Sequence, residues 1–177
     1  MWRTLRVLAN PSRLRVIECL FRDGPLCVSA VATRCRLQPV SATQHLRLLQ
    51  SRGLIQARRT GRWVRYSADP DPLVAHAPPL TAALRHALLA EQAGTTRIVR
   101  ELTAFTHERR ILIVRAISRG TDTPEAIRTA CRISAPALNR HLRKLTRRDV
   151  ICRQDEHIQL LRPVNALARR LLALVRE

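Results

Sequence analysis

The sequence predicts a mainly α-helical protein with short β-hairpins, built as two tandem copies of one small domain. Three observations carry that expectation. Residues 41–53, SATQHLRLLQSRG, read as an amphipathic helix: Ala42, Leu46 and Leu49 recur at i, i+4 and i+7, and Gly53 supplies the left-handed residue that often ends a helix. The same helix returns at 137–149, ALNRHLRKLTRRD, with Leu138, Leu142 and Leu145 in the places of Ala42, Leu46 and Leu49. Shifted by 96 residues, 10–57 lies over 106–153 without a gap and with 13 identities in 48 positions, the HLR of 45–47 and 141–143 among them. Similarity of that length without a gap points to duplication, with a first domain at 1–92 and a second at 93–177.

Each element has a local reason. Residues 1–8 form a short basic and apolar helix. Asn10 and Pro11 start the next one, since Asn caps a helix and Pro suits its first position; Leu14, Ile17, Cys19, Leu20 and Phe21 are its inward residues, and Asp23-Gly24-Pro25 ends it. A third helix, VSAVATRCR, carries Val28, Val31 and Cys35 on one stripe. A tight turn at 37–39 leads into the helix at 41–53. From Leu54 the period changes to two, and LIQARRTGRWVRYSA reads as two strands around a Thr60-Gly61 turn. Residues 67–80, with Pro70, Pro72, Pro78 and Pro79, form a loop; 80–91 and 96–105 return to helical period. The pattern then restarts. The second hairpin, near 150–163, is about two residues shorter, and Asp155 and Glu156 stand where Arg59 and Thr60 stood. The last helix, NALARRLLALVRE, is the counterpart of 80–91.

Composition bounds the function. The 177 residues carry a net charge of +19, and 31 of the 32 basic side chains are arginine. The charge is shared, +9 on residues 1–80 and +10 on 81–177, so a polyanion would meet both halves. No apolar run approaches the ~20 residues of a membrane span, and the N-terminus is too short and polar for a signal peptide. Five cysteines without a CxxC pair read as reduced thiols of a cytoplasmic protein. The chain carries no HExxH, GxSxG, P-loop or GxGxxG motif and its acids are scattered, so an enzyme is not expected.

Helix, short turn and a second helix with a polar outer face, followed by a basic hairpin, is the winged helix-turn-helix arrangement. LANPSRLRVIECL, VSATQHLRLLQSRGLI and RRTGRWVRYSA resemble the ArsR/SmtB family of winged-helix repressors over residues 5–68. Residues 101–162 resemble it more weakly and are tied in by the repeat. The resemblance implies a small helical core with one hairpin per domain, dimerisation through the first and last helices, and operator binding released by an effector. Family members usually have one domain per chain, so the two halves here would pair as an intrachain pseudo-dimer, with a homodimer of the whole chain as the other arrangement.

The outward positions of the first copy are Gln38, Ser41, Thr43, Gln44 and Arg47; those of the second are Ala137, Asn139, Arg140, Arg143 and Lys144. Gln and Asn bond adenine bidentately and Arg bonds guanine in the major groove. Arg58, Arg59 and Arg62 suit phosphate, which sets affinity and register. His45 and His141 lie beside the buried stripe and are expected to pack or touch phosphate. An acidic second hairpin repels phosphate, which keeps open an alternative: one DNA-binding domain plus a degenerate second copy serving protein interaction or dimerisation. Metal sensing in the resembling family uses cysteines on the third helix or Asp, His and Glu on the last. Here Cys27 has Ser29 and Ala32 where partner cysteines would stand, and His86 and Glu91, five apart, fall off one helical face, so neither a metal nor a cofactor is expected.

Overall fold

A computed structural model describes residues 1–176. They form helices α1 (Trp2–Leu8), α2 (Pro11–Asp23), α3 (Val28–Cys35) and α4 (Pro39–Gln50), strands β1 (Gln56–Thr60) and β2 (Trp63–Ser67), then α5 (Ala77–Arg85) and α6 (Thr95–Thr103). After these come α7 (Glu108–Ser118), α8 (Pro124–Cys131), α9 (Ala135–Thr146), β3 (Ile151–Gln154), β4 (His157–Leu160) and α10 (Ala166–Arg176). The mainly helical class with small antiparallel hairpins agrees with the sequence. By its contacts the chain divides into two compact units, Val7–Val99 and Met1–Arg6 with Arg100–Glu177.

In the unit Val7–Val99, Asn10 caps α2 by accepting the Arg13 amide at 3.1 Å. Leu14, Val16, Ile17 and Leu20 of α2 meet Val31, Ala32 and Cys35 of α3 and Ala42, Leu46 and Leu49 of α4 in one core. Burying a leucine of this kind stabilises the fold by about 2–3 kcal/mol. The α3–α4 turn is held by Arg36 in the left-handed region (φ 52°) and by the Leu37 amide donating to the Ala32 carbonyl at 2.9 Å. The hairpin is anchored where Leu26 and Tyr66 exchange backbone hydrogen bonds of 3.0 and 2.8 Å.

Several sequence expectations are corrected here. Cys19, expected inward, is only half-buried. The strands start at Gln56, leaving Leu54 fully buried outside the sheet, and the turn residues are Gly61 and Arg62, because Thr60 pairs with Trp63. Pro78 and Pro79 belong to the first turn of α5 rather than to a loop; a missing N–H costs nothing there. Beyond Arg85 the helix widens into a π-helical turn, His86–Ala90, in which the Glu91 amide donates to the His86 carbonyl at 3.0 Å. That wider turn returns residue i+5 to the face of residue i, so His86 Nδ1 and Glu91 Oε1 stand 3.3 Å apart, against the expectation drawn from ordinary helical spacing.

In the other unit, α7, α8 and α9 pack through Ile111, Ile113, Val114, Ile117, Ile127, Leu138, Leu142 and Leu145, with Leu167, Leu171 and Val175 of α10 buried as well. α3 and α8 correspond residue for residue at a shift of 96, as do α4 and α9. The helix before them does not. Buried Leu14, Val16, Ile17 and Leu20 correspond to Ile111, Ile113, Val114 and Ile117 at a shift of 97, and the N-caps Asn10 and His107 do the same. The ungapped alignment is therefore one residue out over this helix. Arg13 pairs with Arg110, not Arg109: Arg13 Nε donates to the Val7 carbonyl, and Arg110 Nε donates to the Ala104 carbonyl at 2.6 Å, six residues back in each case.

Candidate nucleic-acid interface

The outer face of α4 begins at its N-terminus. Gln38 holds the N-cap position with extended backbone, and its side chain makes no capping bond. Gln38, Gln44 and Arg47 are exposed, while Ser41 and Thr43 are half-buried. The Thr43 hydroxyl donates to the Pro39 carbonyl at 2.9 Å, so its proton is committed to its own helix. The outermost row is Val40, Gln44 and Arg47, at i, i+4 and i+7. Val40, 69% exposed at the start of the helix, was missed by the sequence reading. Its signal was available: a branched apolar residue one turn before Gln44 on the polar face suits contact with a thymine methyl.

On α9 the exposed residues include Pro136, Asn139, Arg140, Arg143 and Lys144, and Arg147 at its C-cap is exposed as well. Ala137, expected outward, is buried, because it packs against the core beside Leu138. His141 is also buried, its ring 4.7 Å from that of His107. Burial, His107 and the arginines around it push the His141 pKa down to about 4, so it is neutral near pH 7. His45 is half-buried and lowered too, by burial and by Arg13. Near neutral pH burial therefore favours the uncharged form of both histidines.

The two hairpins differ in charge on the same backbone plan. In β1–β2, Arg58 lies opposite Arg65, and Arg58, Arg59, Arg62 and Arg65 are all exposed. Like charges facing across a ladder are unfavourable unless an anion lies between or above them. Arg62 stacks its guanidinium 5.2 Å from the Trp63 ring centre, and Arg59 Nε donates to the Gly61 carbonyl at 3.2 Å, which steadies both at the tip. Trp63 is half exposed, a further tip residue that the sequence reading did not select. In β3–β4 the turn is Asp155-Glu156, with Asp155 at φ 53°. Matched by turn position, these acids replace Gly61 and Arg62 rather than Arg59 and Thr60. This hairpin is tied to the chain before α8 by the Ile158 amide donating to the Asp122 carbonyl at 2.7 Å and by His157 Nδ1 at 2.9 Å from Asp122 Oδ2.

The site residues named from sequence therefore fall into two groups. Gln38, Ser41, Thr43, Gln44 and Arg47 share α4 and its cap, with Arg58, Arg59 and Arg62 on the hairpin of the same unit; Asn139, Arg140, Arg143 and Lys144 share α9. Among the described residues no three His, Cys, Asp or Glu side chains converge as an ion would require. Cys27 meets the Ser29 hydroxyl at 3.2 Å, and Cys19 meets the Asp23 carboxylate at 3.6 Å. Burial, Cys35 and Asp23 push the Cys19 thiol up to about 12, so it stays protonated and unreactive at neutral pH.

The arsenical resistance operon repressor of Escherichia coli strain K12 is 33% identical over 98 residues, covering 55% of this chain and 80% of that protein. The chain belongs to the ArsR/SmtB family of transcriptional regulators. Two further ArsR/SmtB relatives match shorter stretches. A cadmium resistance transcriptional regulatory protein of Staphylococcus aureus is 32% identical over 69 residues, 39% of this chain and 57% of that protein. A SmtB-homologue transcriptional repressor of Synechocystis is 42% identical over 60 residues, 34% of this chain and 45% of that protein. These relatives are regulators, not enzymes. No family model matches the chain. No described helix is long and apolar enough to cross a membrane.

Proposed function

We infer that the protein is a DNA-binding transcriptional repressor that reads its operator with two unequal winged helix-turn-helix domains, residues 1–92 and 93–177. The observation that carries this reading is the exposed row of Gln44 and Arg47 on α4 beside a hairpin with four exposed arginines. Gln38, Ser41, Thr43 and Gln44 read base edges by hydrogen bonding, and Arg47 takes a guanine. Arg58, Arg59 and Arg62 hold phosphate. Asn139, Arg140, Arg143 and Lys144 do the corresponding work for the second domain, on a site that need not be palindromic, since the two helices differ. The recurrence of the helix, helix, helix and hairpin order supports the tandem reading. Repression is supported by the relatives named as repressors, and release by an effector by those named for arsenical and cadmium resistance; the effector of this chain is not named by its residues. The two domains pair within one chain, and a homodimer of the chain is the competing arrangement, separated by its mass in solution.

The test is selection of labelled genomic fragments at physiological salt. Enriched sites over competitor DNA are expected; binding of all fragments alike overturns the reading. The acidic turn of the second hairpin favours one alternative, in which the second domain serves protein interaction or dimerisation only. Replacing Arg140, Arg143 and Lys144 together separates them: unchanged operator affinity supports the alternative.

A further inference from the structure

The unit containing α7–α10 holds a small cleft of about 90 Å³, partly open to solvent, between α6, the chain just after α9, and the β4–α10 connection. Its origin follows from a comparison with the same place in the unit Val7–Val99. There nine residues, 68–76, join β2 to α5, and they close over Gly53: the Asp71 amide donates to the Gly53 carbonyl at 2.8 Å. A Cβ at Gly53 would stand 2.8 Å from the Val74 side chain, so the space is filled by the chain itself. Between β4 and α10 only five residues, 161–165, are present, and the residue matching Gly53 is Asp149 (φ 57°). The shorter connection leaves the corresponding space open.

The walls of the cleft select a class of ligand. Its floor is apolar, with Phe105, Leu171 and Leu172 all buried, and Val164 on its lip is 92% exposed. Five charged side chains line it: Arg100, Glu101, Arg148, Asp149 and Arg162. Both acids are engaged, Asp149 by Arg100 Nη2 at 2.6 Å and Glu101 by Asn165 Nδ2 at 2.9 Å. Arg148 and Arg162 hold no carboxylate among the described residues. An apolar pocket with a few convergent polar groups is the usual form of a small-molecule site.

We propose that this cleft binds a compact apolar carboxylate, its hydrocarbon body over Phe105 and Leu171 and its carboxylate at Arg148 and Arg162. The proposal does not rest on DNA reading by the second domain, and its test is run without DNA. Octanoate and benzoate are titrated into the full-length chain by calorimetry, with octylamine and octanol as controls, and ¹H–¹⁵N spectra locate the binding. Saturable binding of the acids is expected, with shifts confined to 100–105 and 148–172, weakened roughly tenfold by Arg162→Ala and abolished by Ala168→Trp, which fills the cleft. The idea is overturned if no acid saturates, if the amine or the alcohol binds as well as the acids, or if the shifts lie elsewhere. Where Ala168→Trp does not fold, Arg162→Ala and the shift map decide.

Discussion

The two helix-and-hairpin elements share a backbone and differ in where they keep their cations. α4 offers one exposed arginine, Arg47, and leaves the rest to its hairpin, where Arg58, Arg59, Arg62 and Arg65 are exposed. α9 carries Arg140, Arg143 and Lys144 itself, with Arg147 at its C-cap, and its hairpin ends in Asp155 and Glu156. A hairpin tip is a phosphate-tracking device, and a helix face is a base-reading one. The difference suggests that affinity is concentrated in the first hairpin and that any contribution of the second half comes through its helix alone.

The largest test of that division is the triple variant Arg58→Ala, Arg59→Ala, Arg62→Ala. It is expected to weaken operator binding roughly a hundredfold and to make the slope of log affinity against log salt shallower by about 3. Fluorescence anisotropy at several salt concentrations measures both, and an unchanged slope means that the hairpin does not touch phosphate. Next in size is Arg47→Ala, expected to cost about 1–3 kcal/mol and to relax specificity at one base pair. Arg143→Ala, made alongside it, produces an equal loss only if both helices read bases.

A stability comparison follows from residues 53 and 149. Gly53→Ala places a Cβ against Val74 at a positive φ and is expected to cost about 1–2 kcal/mol. Asp149→Gly gives up the exposed ion pair with Arg100 but relieves a positive φ, and the two are expected to offset to within about 0.5 kcal/mol. Urea unfolding measures both, and a cost for Gly53→Ala no larger than that for Asp149→Gly would mean that Val74 does not crowd residue 53. Smaller still, Asp155→Arg with Glu156→Arg is expected to tighten DNA binding a few-fold if the second hairpin lies near phosphate. No change places it away from the duplex.

A further effect is one of pH. His141 titrates at about 4 in the folded chain, below its ordinary 6.5, through burial and then through His107 and nearby arginines. Below about pH 6.5 the unfolded chain binds the extra proton and the folded chain does not, so stability falls as pH drops from 6.5 toward 4. Melting at pH 7 and pH 5.5 reads this. The slope should diminish in His141→Gln, and a slope of the same size there would assign the acid sensitivity to other groups.

The sequence by itself determined the helical class, the exposed Gln44 and Arg47 of α4 and the hairpin arginines, because apolar periodicity and net charge are local properties of the chain. Its cap and turn residues placed Asn10 at the start of α2 and the turn of the first hairpin at Gly61. Tertiary structure decided what periodicity at a fixed spacing cannot carry. The π-helical turn after Arg85 brought His86 onto Glu91, since one extra residue per turn changes which residues share a face. The span from the N-cap of α7 to the start of α8 is one residue shorter than that from the N-cap of α2 to the start of α3, which moved the correspondence from 96 to 97 over a single helix, and an ungapped comparison averages that away. Ala137 is buried beside Leu138, although its place in the repeat put it on the polar face. The cleft over Asp149 exists only because a shorter connection fails to cover a place that Val74 covers over Gly53, and that is a property of packing.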